Sequence, residues 1–107
     1  MGAEQQYDVF QAIADPSRRK ILRLLAEKEL PVTMISAHFP MSRTAVTKHL
    51  KILTSSNLIS MEKVGREVKC SLQPEAFREL KEWLSFYEQF WDNKLSMLKH
   101  LVEKDEK

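Results

Sequence analysis

The chain has little of several things that would commit it to a chemistry. It carries one cysteine in 107 residues, so no internal disulfide is available, which fits a reducing, cytoplasmic setting. It has two glycines, too few for a glycine-rich phosphate cradle. No paired nucleophile and base and no cluster with metal-ligand spacing is visible, so we read the chain as not an enzyme and assign it no cofactor. No apolar run approaches the roughly 18 residues that a bilayer span requires. Residues 1–15 (MGAEQQYDVFQAIAD) lack the basic-then-apolar layout of a secretory leader. Internal repeats, linkers and low-complexity tracts are also missing, and the length suits a single domain over 1–107. Net charge is only +2, so total charge does not mark a nucleic-acid binder.

The distribution of charge says more. Residues 1–70 hold eleven Lys/Arg against seven Asp/Glu, and residues 71–107 hold six against eight. Within 40–70 the basic residues Arg43, Lys48, Lys51, Lys63, Arg66 and Lys69 face only Glu62 and Glu67. A local positive potential of this kind raises affinity for phosphate and the salt-dependent rate of encounter.

That excess lies on the most informative stretch, VTMISAHFPMSRTAVTKHLKIL at 32–53. It predicts two short helices and a tight turn, a helix-turn-helix over 32–55. Met34, Ile35 and Phe39 mark the apolar face of the first helix, and Pro40-Met41 ends it, because proline cannot continue a helix. Ser42 stands at the N-cap position of the second. Val46, Leu50 and Leu53 then recur at i, i+4 and i+7 as a buried stripe. The opposite face carries Arg43, Thr44, Thr47, Lys48 and Lys51. A helix with its back in a core and hydroxyls and cations in front suits the DNA major groove, which admits one helix and offers base-edge acceptors. Arg43, Thr44, Thr47 and Lys48 are therefore expected at base edges, with Ser42 and Lys51 on phosphate. An ordinary solvated helix face is the bland alternative.

Upstream, residues 4–14 read as a short amphipathic helix burying Tyr7, Phe10, Ile13 and Ala14. Asp15-Pro16 opens a helix over 16–28, an acceptor at the N-cap followed by proline at the first helical position. It buries Ile21, Leu22, Leu24 and Leu25. Its run Arg18-Arg19-Lys20 is either a phosphate clamp or a solvated face. Leu30-Pro31-Val32 reads as an extended connector or one minor strand. After the turn-forming cluster Ser55-Ser56-Asn57 the apolar period changes from 3.6 to 2. Residues 58–72 then form a two-stranded hairpin whose turn uses Gly65 at positive φ. Appended to a reading helix, such a hairpin is a wing, and its tip cations Lys63 and Arg66, with Lys69 behind, would meet a phosphate ridge or the adjacent minor groove.

A long helix over 75–103 closes the chain. Its apolar positions 77, 80, 84, 87, 91, 95, 98 and 102 form one stripe, and Trp83, Phe86, Phe90, Met97 and Leu101 a second. One stripe suffices to cover the chain's own core. The second would leave a larger apolar patch than soluble monomers carry, so a second copy is expected against it. We assign Tyr7, Phe10, Trp83, Phe86, Tyr87, Phe90, Trp91 and Leu98 to that interface. Aromatics dominate interface cores, although a ligand cavity lined by the same rings is the alternative.

The order helix, helix, helix-turn-helix, hairpin, long helix, with ADPSRRKILRLL at 14–25 and SRTAVTKHLKIL at 42–53, resembles the ArsR-type winged-helix transcriptional regulators over nearly the whole chain. The resemblance implies a mainly α fold with a small β-hairpin (α-α-α-α-β-β-α) and a homodimeric repressor on an imperfectly palindromic operator. It also implies a reading helix at 42–55 and terminal helices that make the dimer. Metal-sensing members carry cysteines in a pattern like E-L-C-V-C-D-L, where this chain has Glu29-Leu30-Pro31-Val32-Thr33-Met34-Ile35. Proline and threonine cannot supply thiolate ligands. The last helix has no histidine before His100, so the second familiar sensor site is also unsupported, and the expectation is a regulator that does not respond to metal.

Other residues have plain readings. Cys70 alternates on an apolar strand face and is a small core residue rather than a redox sensor. His49 is expected to pack or to bond backbone rather than touch a base, and His38 and His100 have no companions at ligand spacing. Glu75, Glu79 and Glu82 interleave with Arg78 and Lys81 as ordinary helix-surface pairs. The competing function is a winged-helix module that docks another protein on the aromatic last helix.

Overall fold

The computed structural model describes residues 7–105. The chain divides into two compact units, Met1–Phe77 and Arg78–Lys107. In the first, α1 (Val9–Ala12), α2 (Pro16–Leu25), β1 (Leu30–Pro31), α3 (Val32–Ser36), α4 (Arg43–Ser55), β2 (Ile59–Val64) and β3 (Glu67–Leu72) follow in order, and a 3₁₀ turn at Pro74–Phe77 ends it. The second unit is the helix α5 (Arg78–Asp105). The last helix, expected over 75–103, runs from Arg78 to Asp105 after the 3₁₀ turn.

The starts of α1, α2 and α4 are each set by a side-chain oxygen, whereas α3 begins after Pro31 without a side-chain cap. Asp8 caps α1 by accepting from the Gln11 amide at 2.7 Å, while the Gln11 side chain accepts from the Asp8 amide at 3.0 Å. This reciprocal box satisfies two otherwise orphaned donors. Asp15 accepts from the amides of Ser17 at 2.8 Å and Arg18 at 3.1 Å, with Pro16 at the first helical position. Burial acts to raise the Asp15 pKa, but donation from these two amides and the nearby His49 and Arg18 side chains outweigh it. The carboxyl therefore sits below its ordinary value.

The short elements depart from expectation. α1 is a single turn, with Val9 and Ala12 buried, Phe10 and Ile13 half-buried, and Tyr7 and Ala14 exposed. The chain must reach an extended conformation at Asp15 (φ −101°, ψ 131°) to cap α2, which cuts the helix at Ala12 and turns a different face inward. The predicted positions 4–6 lie outside the described residues. α2 ends at Leu25 rather than 28, closing with tighter bonds from Ala26 and Glu27, and its Leu24 is half-buried. α3 begins at Val32, so Val32 and Ile35 face the core and Met34 turns out to 49% exposure. Phe39 lies beyond the helix and is half-buried.

The sheet is three-stranded and antiparallel in the order β1-β3-β2. Leu30 pairs with Cys70 and Pro31 with Lys69, so the minor strand forms and covers an edge of β3. Proline is tolerated there because its strand lies at the edge. The hairpin register runs from Ile59↔Leu72 to Val64↔Glu67, leaving the two-residue turn Gly65-Arg66. Gly65 takes φ 65°. Space is open where a Cβ would stand, so the requirement is conformational alone.

The core of the first unit consists of Ile21, Ile35, Val46, Leu50, Leu53, Leu58, Ile59 and Cys70, all essentially inaccessible. Burial pushes the Cys70 thiol up to about 11, which keeps it protonated and unreactive at neutral pH. The end of α4 joins this core to the wing. Asn57 adopts φ 65°, its amide donates to the Thr54 carbonyl at 3.0 Å, and the Leu58 amide donates back to Leu53 at 3.1 Å. These two bonds are a Schellman closure, and both residues of its apolar clasp, Leu53 and Leu58, are fully buried. Replacing Asn57 with Ala should destabilise the chain by about 1 kcal/mol, because a Cβ-bearing residue without a local polar partner resists the left-handed region. Asn57→Gly should match the parent or exceed it. Urea denaturation of the three proteins checks this, and equal midpoints for Ala and Gly would contradict the assignment.

Candidate nucleic-acid interface

α4 presents two different faces. Val46, Leu50 and Leu53 are fully buried, while Arg43, Thr44, Lys48 and Lys51 are exposed and Thr47 half-buried. Ser42 caps the helix, its hydroxyl accepting from the Ala45 amide at 3.1 Å. Within Arg43–Ser55 there is no acidic side chain. The positive end of the helix and its cationic front therefore add without internal neutralisation.

The five front residues line one open concavity of about 460 Å³. A second hollow, about 320 Å³, runs from this face to the hairpin: Arg43 and Thr47 stand on one side and Arg66, Glu67, Val68 and Met61 on the other. Arg66 is thus brought beside the helix front. Lys63 stands opposite Val68 and shares its strand face with Met61, whereas Lys69 pairs opposite Glu62 on the other face of the hairpin. Of the three expected wing cations, Lys69 is the one turned away, because the two-residue alternation of a strand leaves no choice.

The basic run of α2 is neither a bare clamp nor a solvated face. Arg18 donates from Nε to the Ala12 carbonyl at 2.6 Å and from Nη2 to Gln11 at 3.2 Å. Arg19 donates to the Ile13 carbonyl at 2.7 Å. Lys20 donates to the His38 carbonyl at 3.0 Å and sits 4.8 Å from the Phe39 ring centre. These three cations satisfy carbonyls at and just beyond the C-terminal ends of α1 and α3, groups that a helix leaves unpaired. His49, expected to pack or to bond backbone, instead meets side chains of α2 and its cap. Its Nδ1 lies 3.3 Å from Arg18 Nη1 and 3.9 Å from an Asp15 carboxylate oxygen. Sequence reading missed both arrangements, since the partners lie up to 31 residues apart.

α5 is exposed along most of its apolar length. Trp83, Phe86, Tyr87, Phe90, Trp91 and Leu98 are between 46% and 67% accessible, as are Leu84, Leu95, Met97, Leu101 and Val102. The rings of Trp83 and Tyr87, and of Phe86 and Tyr87, meet edge-on at 5.0 Å. Within α5 Leu80 is buried, and from Leu84 onward the large apolar side chains of both stripes are exposed. Of the remaining residues assigned to an interface, Tyr7 is exposed and Phe10 half-buried.

Comparison with known proteins places this architecture. Residues 15–61 match the family described as bacterial regulatory protein, arsR family. The transcriptional repressor SdpR of Bacillus subtilis is 34% identical over 88 residues, covering 82% of this chain and 98% of that protein. The chain belongs to the arsR family. The arsR family comprises DNA-binding transcriptional regulators rather than enzymes, which agrees with the lack of catalytic machinery in the sequence. The transcriptional repressor SmtB homolog of Synechocystis is 41% identical over 70 residues, 65% of this chain, and the chain spans about half of that relative (53%). A crystal structure of a possible transcriptional regulator for arsenical resistance superposes with a TM-score of 0.70 at 34% identity, covering 86% of this chain and 93% of that one. The expected fold, mainly α with a small sheet in a winged-helix arrangement and a long final helix, holds. Among the described residues no helix is long and apolar enough to cross a membrane.

Proposed function

We propose that this arsR-family regulator is a homodimeric repressor that binds a palindromic operator in the cytoplasm and does not respond to metal. The observation that carries the reading is the convergence of Arg43 and Thr47 of α4 with Arg66 of the wing tip around one hollow. A duplex seated there places base edges against Arg43, Thr44, Thr47 and Lys48, and phosphates against Ser42, Lys51, Arg66 and Lys63. Lys69, on the far face of the hairpin, adds long-range attraction only. Pro31 and Thr33 in place of thiolates support independence from metal.

Dimerisation is supported by the exposed apolar face of α5, which exceeds what a monomer in water ordinarily leaves bare. Closing a two-fold axis through Trp83, Phe86, Tyr87, Phe90, Trp91 and Leu98 would set two reading helices about 34–36 Å apart, one helical turn of DNA.

Two measurements test the proposal. In fluorescence anisotropy against a selected operator and its single-base variants, Arg43→Ala should relax preference at one position per half-site, by about 1–3 kcal/mol. Arg66→Ala should weaken all duplexes alike and lower the salt slope by about one. A loss of preference with Arg66→Ala but not Arg43→Ala reverses the roles. In sedimentation equilibrium the parent should run at twice the 12.5 kDa chain mass and Phe90→Asp should shift it toward monomer. A parent that stays monomeric at every concentration favours a protein-docking module instead.

A further inference from the structure

Arg18 occupies a junction that DNA contact alone does not explain. Its guanidinium holds the Ala12 carbonyl at 2.6 Å and the Gln11 carbonyl at 3.2 Å, so two of its nitrogens are committed to the end of α1. The third nitrogen reaches across to His49 on α4 at 3.3 Å. Arginine has donors only, so this contact requires His49 Nδ1 to be the unprotonated acceptor. Asp15 stands 3.9 Å from the same nitrogen, beyond hydrogen-bond reach, and is itself spent on the amides of Ser17 and Arg18. One planar fork therefore joins α1, its own helix α2 and the cationic reading helix. The three donors are fixed relative to one another by the guanidinium plane, so the link transmits position rather than merely charge. His49 is one residue from Lys48 and one from the fully buried Leu50. The contact therefore ties Arg18 to the turn of α4 that carries Lys48.

We infer that Arg18, with His49 as its acceptor, is a positioning residue that sets the rotation of α4 relative to α1. This rests on α4 being the reading helix, and on Phe10 of α1 with the preceding Tyr7 carrying part of the subunit interface. Under that reading the link is the physical connection by which subunit pairing governs the aim of the reading helix. Three of the five N–H donors of Arg18 are occupied within the protein, so the link itself does not depend on a contact to DNA.

The test separates the acceptor from the ring. His49→Asn keeps an acceptor in the place of Nδ1, and His49→Phe keeps the ring and removes the acceptor. On a duplex selected from a randomised library, His49→Phe should lose about tenfold in affinity and part of its preference over competitor DNA, whereas His49→Asn stays within about twofold of the parent. Thermal unfolding is followed alongside, so that a variant failing to fold is recognised. Amide hydrogen exchange gives a readout independent of DNA: Ile13 and Ala14, at the end of α1, should exchange faster in His49→Phe than in His49→Asn. Unchanged DNA affinity in a folded His49→Phe overturns the inference, as does equal loss in both variants, which would make His49 a packing residue. If the parent prefers no duplex while the exchange difference persists, the DNA reading falls and the link stands. If the exchange difference is also absent, both fall.

Discussion

Burial of one narrow stripe, Val46, Leu50 and Leu53, organises the whole first unit. All three are fully inaccessible, and each such side chain contributes about 1.5–3 kcal/mol relative to exposure. With its back held, α4 can turn only slightly, so Arg43, Thr44, Lys48 and Lys51 face outward with Thr47 half-buried among them. The same core residues recruit the neighbours: Ile21 from α2, Ile35 from α3, and Leu58, Ile59 and Cys70 from the sheet are equally buried. The Schellman closure at Asn57 then sends the chain from the buried end of α4 straight into β2. The hairpin is thereby aimed by α4 rather than hung from a loop.

The two shortest helices need another source of local order. α1 has four residues and α3 five, far below the length at which helices persist alone in water. Arg18, Arg19 and Lys20 supply it by donating to carbonyls at the ends of both. The cations on α2 thus hold the bundle together, and the cations on α4 and the wing remain available to a partner. Two basic groups that look alike in composition have different work because one faces helix ends and the other faces solvent.

What was legible beforehand divides along the same line. α4 and the hairpin carry local, repeated signals: a hydroxyl cap, a stripe at helical spacing, alternation at strand spacing and a glycine where the turn demands positive φ. These require no knowledge of distant residues, and the structure matches them closely. α1 is shorter than expected, and α3, though it starts at Val32 as expected, ends before Phe39 and turns Met34 outward, because a single turn has too few positions to establish a period and caps and neighbours choose the buried face. The cross-strand pair Leu30↔Cys70 and the Arg18–His49 contact join residues 40 and 31 apart, and no spacing rule reaches that far. The family resemblance, carried by segments 14–25 and 42–53, anticipated the fold class that the comparisons support. In α5 the two stripes were visible but their fate was not, since periodicity reports which residues share a face and not what covers it.

The central claim is that the front of α4 and the tip of the wing together form the surface that meets a duplex. An amide chemical-shift titration of the labelled chain with its selected duplex addresses it most directly. The account predicts shifts concentrated at Arg43, Thr44, Thr47, Lys48, Gly65 and Arg66, with the outer half of α5 scarcely moved. Shifts confined to α5, with the α4 front unperturbed, would contradict it.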